Sequence, residues 1–191
     1  TKALGAEVAA AGGVYLDAPL GRTPAHAKDG KLNIMAAGDK LTFDRIRPIL
    51  DDLGENVFHL GALGSGHTIK LLNNFFGMTT ANAMAEVFAM AVVAGIERKA
   101  VYDVIAAGPL HSGMMDFVKG YAVDGIPDTL AFSIRNAAKD VGYYAKMAAD
   151  LNAETIMSKS ANEALQTAID EGDGDLMVSQ MTDFFARRFG R

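Results

Sequence analysis

Apolar and polar positions divide the chain into two stretches of different rhythm. Through residue 60 the apolar runs are short and broken by glycine and proline, whereas from residue 65 they recur at the three- and four-residue spacing of helices. Residues 2–12 are alanine-rich with apolar residues near helical spacing, and Gly12-Gly13 stops them. Val14, Tyr15 and Leu16 form a short apolar run that ends at Asp17 and Pro19, which predicts a buried strand. Residues 20–31 hold two glycines and Pro24 and predict a polar loop, after which residues 32–36 predict a second strand stopped by Gly38. Asp39 or Thr42 then caps a helix reaching Leu53, with Ile46, Ile49, Leu50 and Leu53 on one side and Pro48 in its middle. Gly54 ends that helix, and residues 57–60 predict a third strand. Three short strands are too few for a stable covered sheet. The chain also opens on a threonine in what reads as mid-helix, so the sequence predicts a fragment with residues missing upstream.

From residue 65 onward the pattern predicts helices only. A long one runs from Ser65 to about Val93 and stops at Gly95, and further helices are expected over 98–107, 112–121, 132–150, 155–171 and 176–189. Gly108-Pro109, a turn at 124–128 and Gly172-Asp-Gly174 separate them. The long helix carries Gly77, Ala81, Ala83, Ala85, Ala89 and Ala91, and such thin side chains predict a central, buried element approached closely by other helices.

Composition narrows the function. Half of the 191 residues are apolar and a fifth are charged, the balance of a globular chain. Net charge is −5 and no basic cluster exceeds the Arg187-Arg188 pair, so a nucleic-acid partner is not expected. The absence of cysteine excludes disulfides, thiolate catalysis and cysteine-ligated zinc, and suits a reducing, cytoplasmic setting. The apolar region 71–95 contains Asn73, Asn74, Asn82 and Glu86, which are costly in hydrocarbon, so no membrane span is expected. His26, His59, His67 and His111 lack i,i+4 spacing and no metal is assigned to them, and the ten methionines read as core filler.

Three segments have chemical potential. Gly61, Gly64 and Gly66 end an extended run where the long helix starts, and Lys70, Asn73 and Asn74 follow at i, i+3 and i+4, on one helix face. Gly66 and Gly77 fall on nearly the same stripe, which predicts an open trough with an ammonium and two amides pointing into it. The competing reading is a solvent-reaching lysine and an asparagine pair that bonds neighbouring helices. In the second segment, Asp17 to Leu32, Gly21 can expose main-chain N–H groups while Arg22 adds a fork of donors and Thr23 a hydroxyl; this suits a carboxylate or stronger oxyanion, or else is a plain surface loop. The third is Lys139-Asp140, which by itself reads as a solvated helix face.

The spacing Gly-x-Gly-x-x-x-Lys-x-x-Asn-Asn at 64–74 resembles the catalytic helix of the β-hydroxyacid dehydrogenases, the family of 3-hydroxyisobutyrate dehydrogenase and tartronate semialdehyde reductase. The Asp17 segment, Lys139-Asp140 and the run Gly172-Asp-Gly174-Asp175-Leu-Met-Val resemble further segments of that family in the same order. The resemblance implies an α/β plus all-α fold: a partial dinucleotide-binding (Rossmann-like) domain over 1–62, then a helical bundle of 6-phosphogluconate dehydrogenase type over 63–191. It implies an NAD- or NADP-dependent oxidoreductase moving hydride between nicotinamide and a small β-hydroxy acid or its aldehyde. Lys70 is then the acid–base group and Asn74 the substrate-orienting neighbour, with Asn73 beside the substrate. Hydride arriving at a carbonyl carbon develops negative charge on oxygen, which an ammonium neutralises and protonates. The helix N-terminus and partial burial are expected to lower the lysine's pKa for this task. Lys139 would close over the nicotinamide side, Asp140 would support the site, and Phe132 would line the same wall.

The chain departs from the family at its substrate loop, where Gly21-Arg22-Thr23 replaces Ser-Gly-Gly. This resembles the Gly-Arg-Thr loop of sulfolactaldehyde reductase and implies that Arg22 pairs with a substrate anion, with a sulfonate among the options. The Gly-x-Gly-x-x-Gly turn that holds a dinucleotide is missing, since Gly61-x-x-Gly64-x-Gly66 lies after the third strand. The N-terminal Rossmann half is therefore expected to be absent from this chain. The resemblance further implies a homodimer or homotetramer. Two rivals remain: a 6-phosphogluconate dehydrogenase relative, which usually has His where Asn73 stands, and a catalytically dead oligomerisation domain, which tends to lose the lysine present here as Lys70.

Overall fold

The computed structural model describes residues 1–190. Helix α1 (Lys2–Ala10) leads into an extended run, but residues 14–16 form no ladder. Pairing begins only at Asp17, whose N–H donates to the Ala37 carbonyl (3.1 Å) and whose carbonyl accepts from Ala37 N–H (2.8 Å). The predicted polar loop at 20–31 is instead a two-residue strand β1 (Leu20–Gly21) and a short helix α2 (Pro24–Lys28). Extended Thr23 followed by Pro24 at the first helical position is a start signal for α2. β1 exists because β2 (Leu32–Ala36) lies antiparallel beside it, with Leu20 opposite Ile34 and Gly21 opposite Asn33.

Helix α3 (Lys40–Asp51) crosses over from β2 to the parallel strand β3 (Gly54–His59), giving sheet order β1-β2-β3. Asp39 caps α3 by accepting from the Thr42 hydroxyl (2.7 Å) and the Thr42 N–H (2.8 Å). Those bonds, the hydroxyl's first, hold the Asp39 carboxyl below its usual pKa. Ile34, Met35, Ala36, Ala37 and Phe43 are buried in this part of the chain.

The rest is helical, as the spacing predicts: α4 (Ser65–Val93), α5 (Arg98–Ala106), α6 (Gly113–Ala122), α7 (Ile134–Asp150), α8 (Met157–Asp170) and α9 (Met181–Arg188), with 3-10 turns at Pro127–Leu130 and Val178–Gln180. Phe132 lies before α7 rather than in it. Ser133 caps that helix, accepting from Asn136 N–H at 3.3 Å, and the Phe132 carbonyl accepts instead from Val178 N–H at 2.8 Å.

Packing divides the chain into two compact units, Thr1–Asn73 and the residues from Asn74 onward, with the division inside α4. In the second unit Met78, Ala81, Ala85 and Phe88 recur at i, i+3, i+7 and i+10 and enter one apolar core with Val118, Ile134, Val141, Leu165 and Met181. α4 is long and apolar enough to cross a membrane; here its apolar residues serve this core on one side. The expected central, buried element is buried on that side only, since Phe76 is 74% exposed and Val87 and Met90 are open.

In the first unit the start of α4 is held by a residue distant in sequence. Asp17, 2% exposed, accepts from the N–H of Gly64 (2.7 Å) and of His67 (2.8 Å). A carboxylate on two amides at a helix start satisfies donors that the helix cannot satisfy itself and faces the positive end of its dipole. Gly66 makes the approach possible: a Cβ there would stand 2.1 Å from the Met35 carbonyl oxygen and 2.9 Å from Asp17 Oδ2. Gly77 likewise touches a neighbour, with 3.2 Å between its missing Cβ and Met114 Cε. Each of these glycines is a contact point within its own unit, and the space left by its missing side chain is taken by a neighbour.

Two substitutions test this account. Gly66→Ala gains up to ~1 kcal/mol of helix propensity, but overpacking costs ~1–3 kcal/mol, and contact with a backbone carbonyl cannot relax by rotamer change. A net loss of stability is expected, read as a lower denaturation midpoint at unchanged slope. Asp17→Ala should cost about 2–3 kcal/mol by leaving both amides unpaired; a midpoint equal to wild type would refute the cap.

Candidate active site

With its start fixed on Asp17, α4 carries Lys70, Asn73 and Asn74 over its second and third turns, Lys70 and Asn74 half-buried and Asn73 exposed. The first unit contains a cavity of about 300 Å³ lined by Gly21, Arg22, Asn33, Met35, Phe58, Leu60, Ile69 and Asn73. Three of the four residues predicted to hold substrate thus share one cavity. The fourth, Thr23, has its hydroxyl bonded to His26 Nδ1 (2.7 Å) at the start of α2. Asn33 and Met35 of β2, and Phe58 of β3 with Leu60 just beyond it, were missed by the sequence reading. Their two-residue spacing is the signal that could have found them, because alternate strand positions share a face.

Arg22 occupies this cavity at a conformational cost. Its φ is +73°, in the left-handed region that glycine adopts freely. For a residue with a Cβ that costs about 1–2 kcal/mol. Its Nη1 donates to the Lys31 carbonyl (2.9 Å) and pairs with the Glu55 carboxylate. An exposed ion pair returns ~0–1 kcal/mol and a hydrogen bond from a charged group about 1.5–3 kcal/mol, so these contacts hold the strained backbone in place. Strain held in this way by its surroundings concentrates at functional sites.

The second unit holds a separate polar group. Asp140, 8% exposed, accepts from Asn74 Nδ2 (2.6 Å) and pairs with Lys139 Nζ (3.2 Å). An ionised carboxylate can only accept, so the amide nitrogen of Asn74 must face it and the orientation of that side chain is set. Lys139 is half exposed and lies 5.9 Å from the Tyr143 ring centroid, where a cation–π contact is favourable. Phe75 of α4 stacks on Tyr144 of α7, centroids 4.0 Å apart and nearly parallel, which braces the helices bearing Asn74 and Asp140. Phe132 is half-buried against the helical core.

NAD or NADP has to be held at two ends. Of the residues that the resemblance assigns to the nicotinamide side, Lys139 offers a half-exposed ammonium beside an anchored carboxylate. Gly61, Gly64 and Gly66 do not fit the pyrophosphate, because the amides of Gly64 and His67 that would cradle it are already bonded to Asp17. Among the described residues no cluster of three potential ligands could hold a metal ion.

Residues 64–185 match the family model described as the NAD-binding region of NADP-dependent 3-hydroxyisobutyrate dehydrogenase, and residues 1–61 match the NAD-binding domain of 6-phosphogluconate dehydrogenase. The chain is 32% identical over 181 residues to glyoxylate/succinic semialdehyde reductase 1 of Arabidopsis thaliana, covering 94% of this chain and 61% of that protein. It is 29% identical over 160 residues to L-threonate dehydrogenase of Escherichia coli, covering 83% and 53%. Among solved structures, 3-hydroxyisobutyrate dehydrogenase from Salmonella typhimurium superposes with a TM-score of 0.84 at 27% identity, over 95% of this chain and 64% of that one. The chain spans 61% and 53% of the lengths of the two curated relatives. Since the first family match takes in more than half of the chain, and with it Lys70, Asn73, Asn74, Lys139 and Asp140, this chain belongs to the 3-hydroxyisobutyrate dehydrogenase family of β-hydroxyacid dehydrogenases, with their Rossmann-like and helical fold.

Proposed function

We propose that the protein is an NAD(P)-dependent dehydrogenase of a small anionic β-hydroxy acid, or a reductase of the matching semialdehyde. The observation that carries this is the bond from Asn74 to buried Asp140, which fixes an amide one turn along the helix from Lys70 within the family match. The printed names of the relatives, a semialdehyde reductase and a hydroxy-acid dehydrogenase, support the same substrate class.

The bound cofactor supplies or accepts the hydride. The chain's own residues handle charge and protons. In reduction, the Lys70 ammonium stabilises the growing alkoxide and gives it a proton; in oxidation the neutral amine takes the hydroxyl proton. Asn74 holds the substrate oxygen in line, and the loop of Gly21, Arg22 and Thr23, with Asn73, holds the anionic end. Lys139, Asp140 and Phe132 serve the cofactor side. Residues 1–62 act as part of the dinucleotide-binding domain and residues 63–191 as the helical substrate and assembly domain. Exposed Phe76, Val87 and Met90 lie along one side of α4 and suit a homodimer or homotetramer. We place the protein in the cytoplasm, apart from nucleic acid and membrane.

Three outcomes are expected in the intact protein, assayed with NADH and NADPH. Lys70→Ala should keep its circular dichroism spectrum while kcat falls ~10²–10⁴-fold; retained turnover removes Lys70 from the chemistry. Asp140→Asn should free the Asn74 amide to flip and lower kcat about 10–100-fold with a smaller change in KM. Arg22→Gly should separate stability from substrate binding. Relief of about 1–2 kcal/mol of left-handed strain offsets the lost contacts to Lys31 and Glu55, so the melting temperature should change little, while loss of a charged hydrogen bond to the substrate raises KM for an anionic substrate about 10–100-fold. A folded variant with unaltered KM would dismiss Arg22 as the anion receptor.

A further inference from the structure

Glu55 stands second in β3 with half of its side chain exposed, and nothing in its sequence surroundings marks it. Its carboxylate meets Nη1 of Arg22, the nitrogen that also donates to the Lys31 carbonyl at 2.9 Å. Nη1 is thereby engaged twice, by a charge and by a backbone oxygen. A guanidinium has five N–H groups, so the three on Nε and Nη2 form the edge suited to two oxygens of a bound anion. Of the residues that line the cavity, Arg22 brings the positive charge, while Gly21, Asn33 and Asn73 bring none. Asn33 is itself tied to Asn56, whose Nδ2 donates to it at 2.9 Å.

We propose that Glu55 is a positioning and specificity residue for the anionic end of the substrate: it grips Arg22 by one nitrogen and, by keeping a negative charge there, makes the cavity take a monoanion in preference to a dianion. This deepens the substrate reading above and rests on it. The charge balance is simple. Arg22 and Glu55 sum to zero, so a carboxylate or sulfonate on the open edge leaves the group at −1. A phosphate monoester leaves it at −2, with like charges on opposite sides of one guanidinium. The bidentate geometry is available to both anions; the second charge is what Glu55 opposes.

The test uses the intact enzyme and two competitive inhibitors of equal length, propanesulfonate and ethyl phosphate, at about pH 8, where the phosphate is a dianion. Wild type should bind the sulfonate more tightly. Glu55→Gln should shift the ratio of inhibition constants toward the phosphate by about fivefold, the scale of one exposed like-charge contact, and Glu55→Asp should keep the wild-type preference. An unchanged ratio in Glu55→Gln, or equal weakening of both inhibitors, overturns the role of Glu55. If Arg22→Gly weakens both inhibitors while Glu55→Gln leaves the ratio unchanged, the anion site stands without Glu55 as its selector. Should Arg22→Gly weaken neither, the anion site falls and this inference falls with it. Melting temperatures of the variants confirm that each comparison is made between folded proteins.

Discussion

A buried carboxylate at the start of the long helix is the constraint on which the first unit turns. Asp17 sits at the end of an extended segment with one backbone pair to Ala37, and its side chain takes the amides of Gly64 and His67. This fixes where α4 begins relative to β2, and hence where Lys70 and Asn73 emerge relative to the strand bearing Asn33 and Met35. It also closes the helix N-terminus to a phosphate, so the glycines that look like a nucleotide turn instead admit a neighbouring backbone and a carboxylate. The same helix start cannot serve both.

The two units organise polar groups by different means. In the first, an arginine stands where its backbone prefers glycine, and Glu55 with the Lys31 carbonyl keeps its guanidinium beside a cavity. In the second, a carboxylate fixes an amide on α4 without strain. Strain in one place and hydrogen bonding in the other both reduce the freedom of side chains that would meet a ligand, which is what preorganisation requires. α4 contributes residues to both units and answers to different neighbours along its length. It uses glycine where backbone comes close, as at Gly66, and larger apolar residues where the helical core must be filled.

By itself the sequence determined most of the helical unit. Helix starts and stops rest on local chemistry, namely serine caps, glycine ends and three-to-four spacing, so α4 falls where the pattern puts it. The placement of Lys70, Asn73 and Asn74 within α4 was legible for the same reason, since their spacing is that of a helix. Tertiary structure alone decided the rest. Residues 14–16 have strand character but no ladder partner, whereas the two residues of β1 become a strand because β2 lies beside them. Asp17 and Gly64 are 47 positions apart and Arg22 and Glu55 are 33 apart, and no periodic pattern links such pairs. Gly66 looked like an opening because sequence shows a missing side chain without showing what fills its place. Local pattern records what a residue offers; what it meets depends on how distant segments pack.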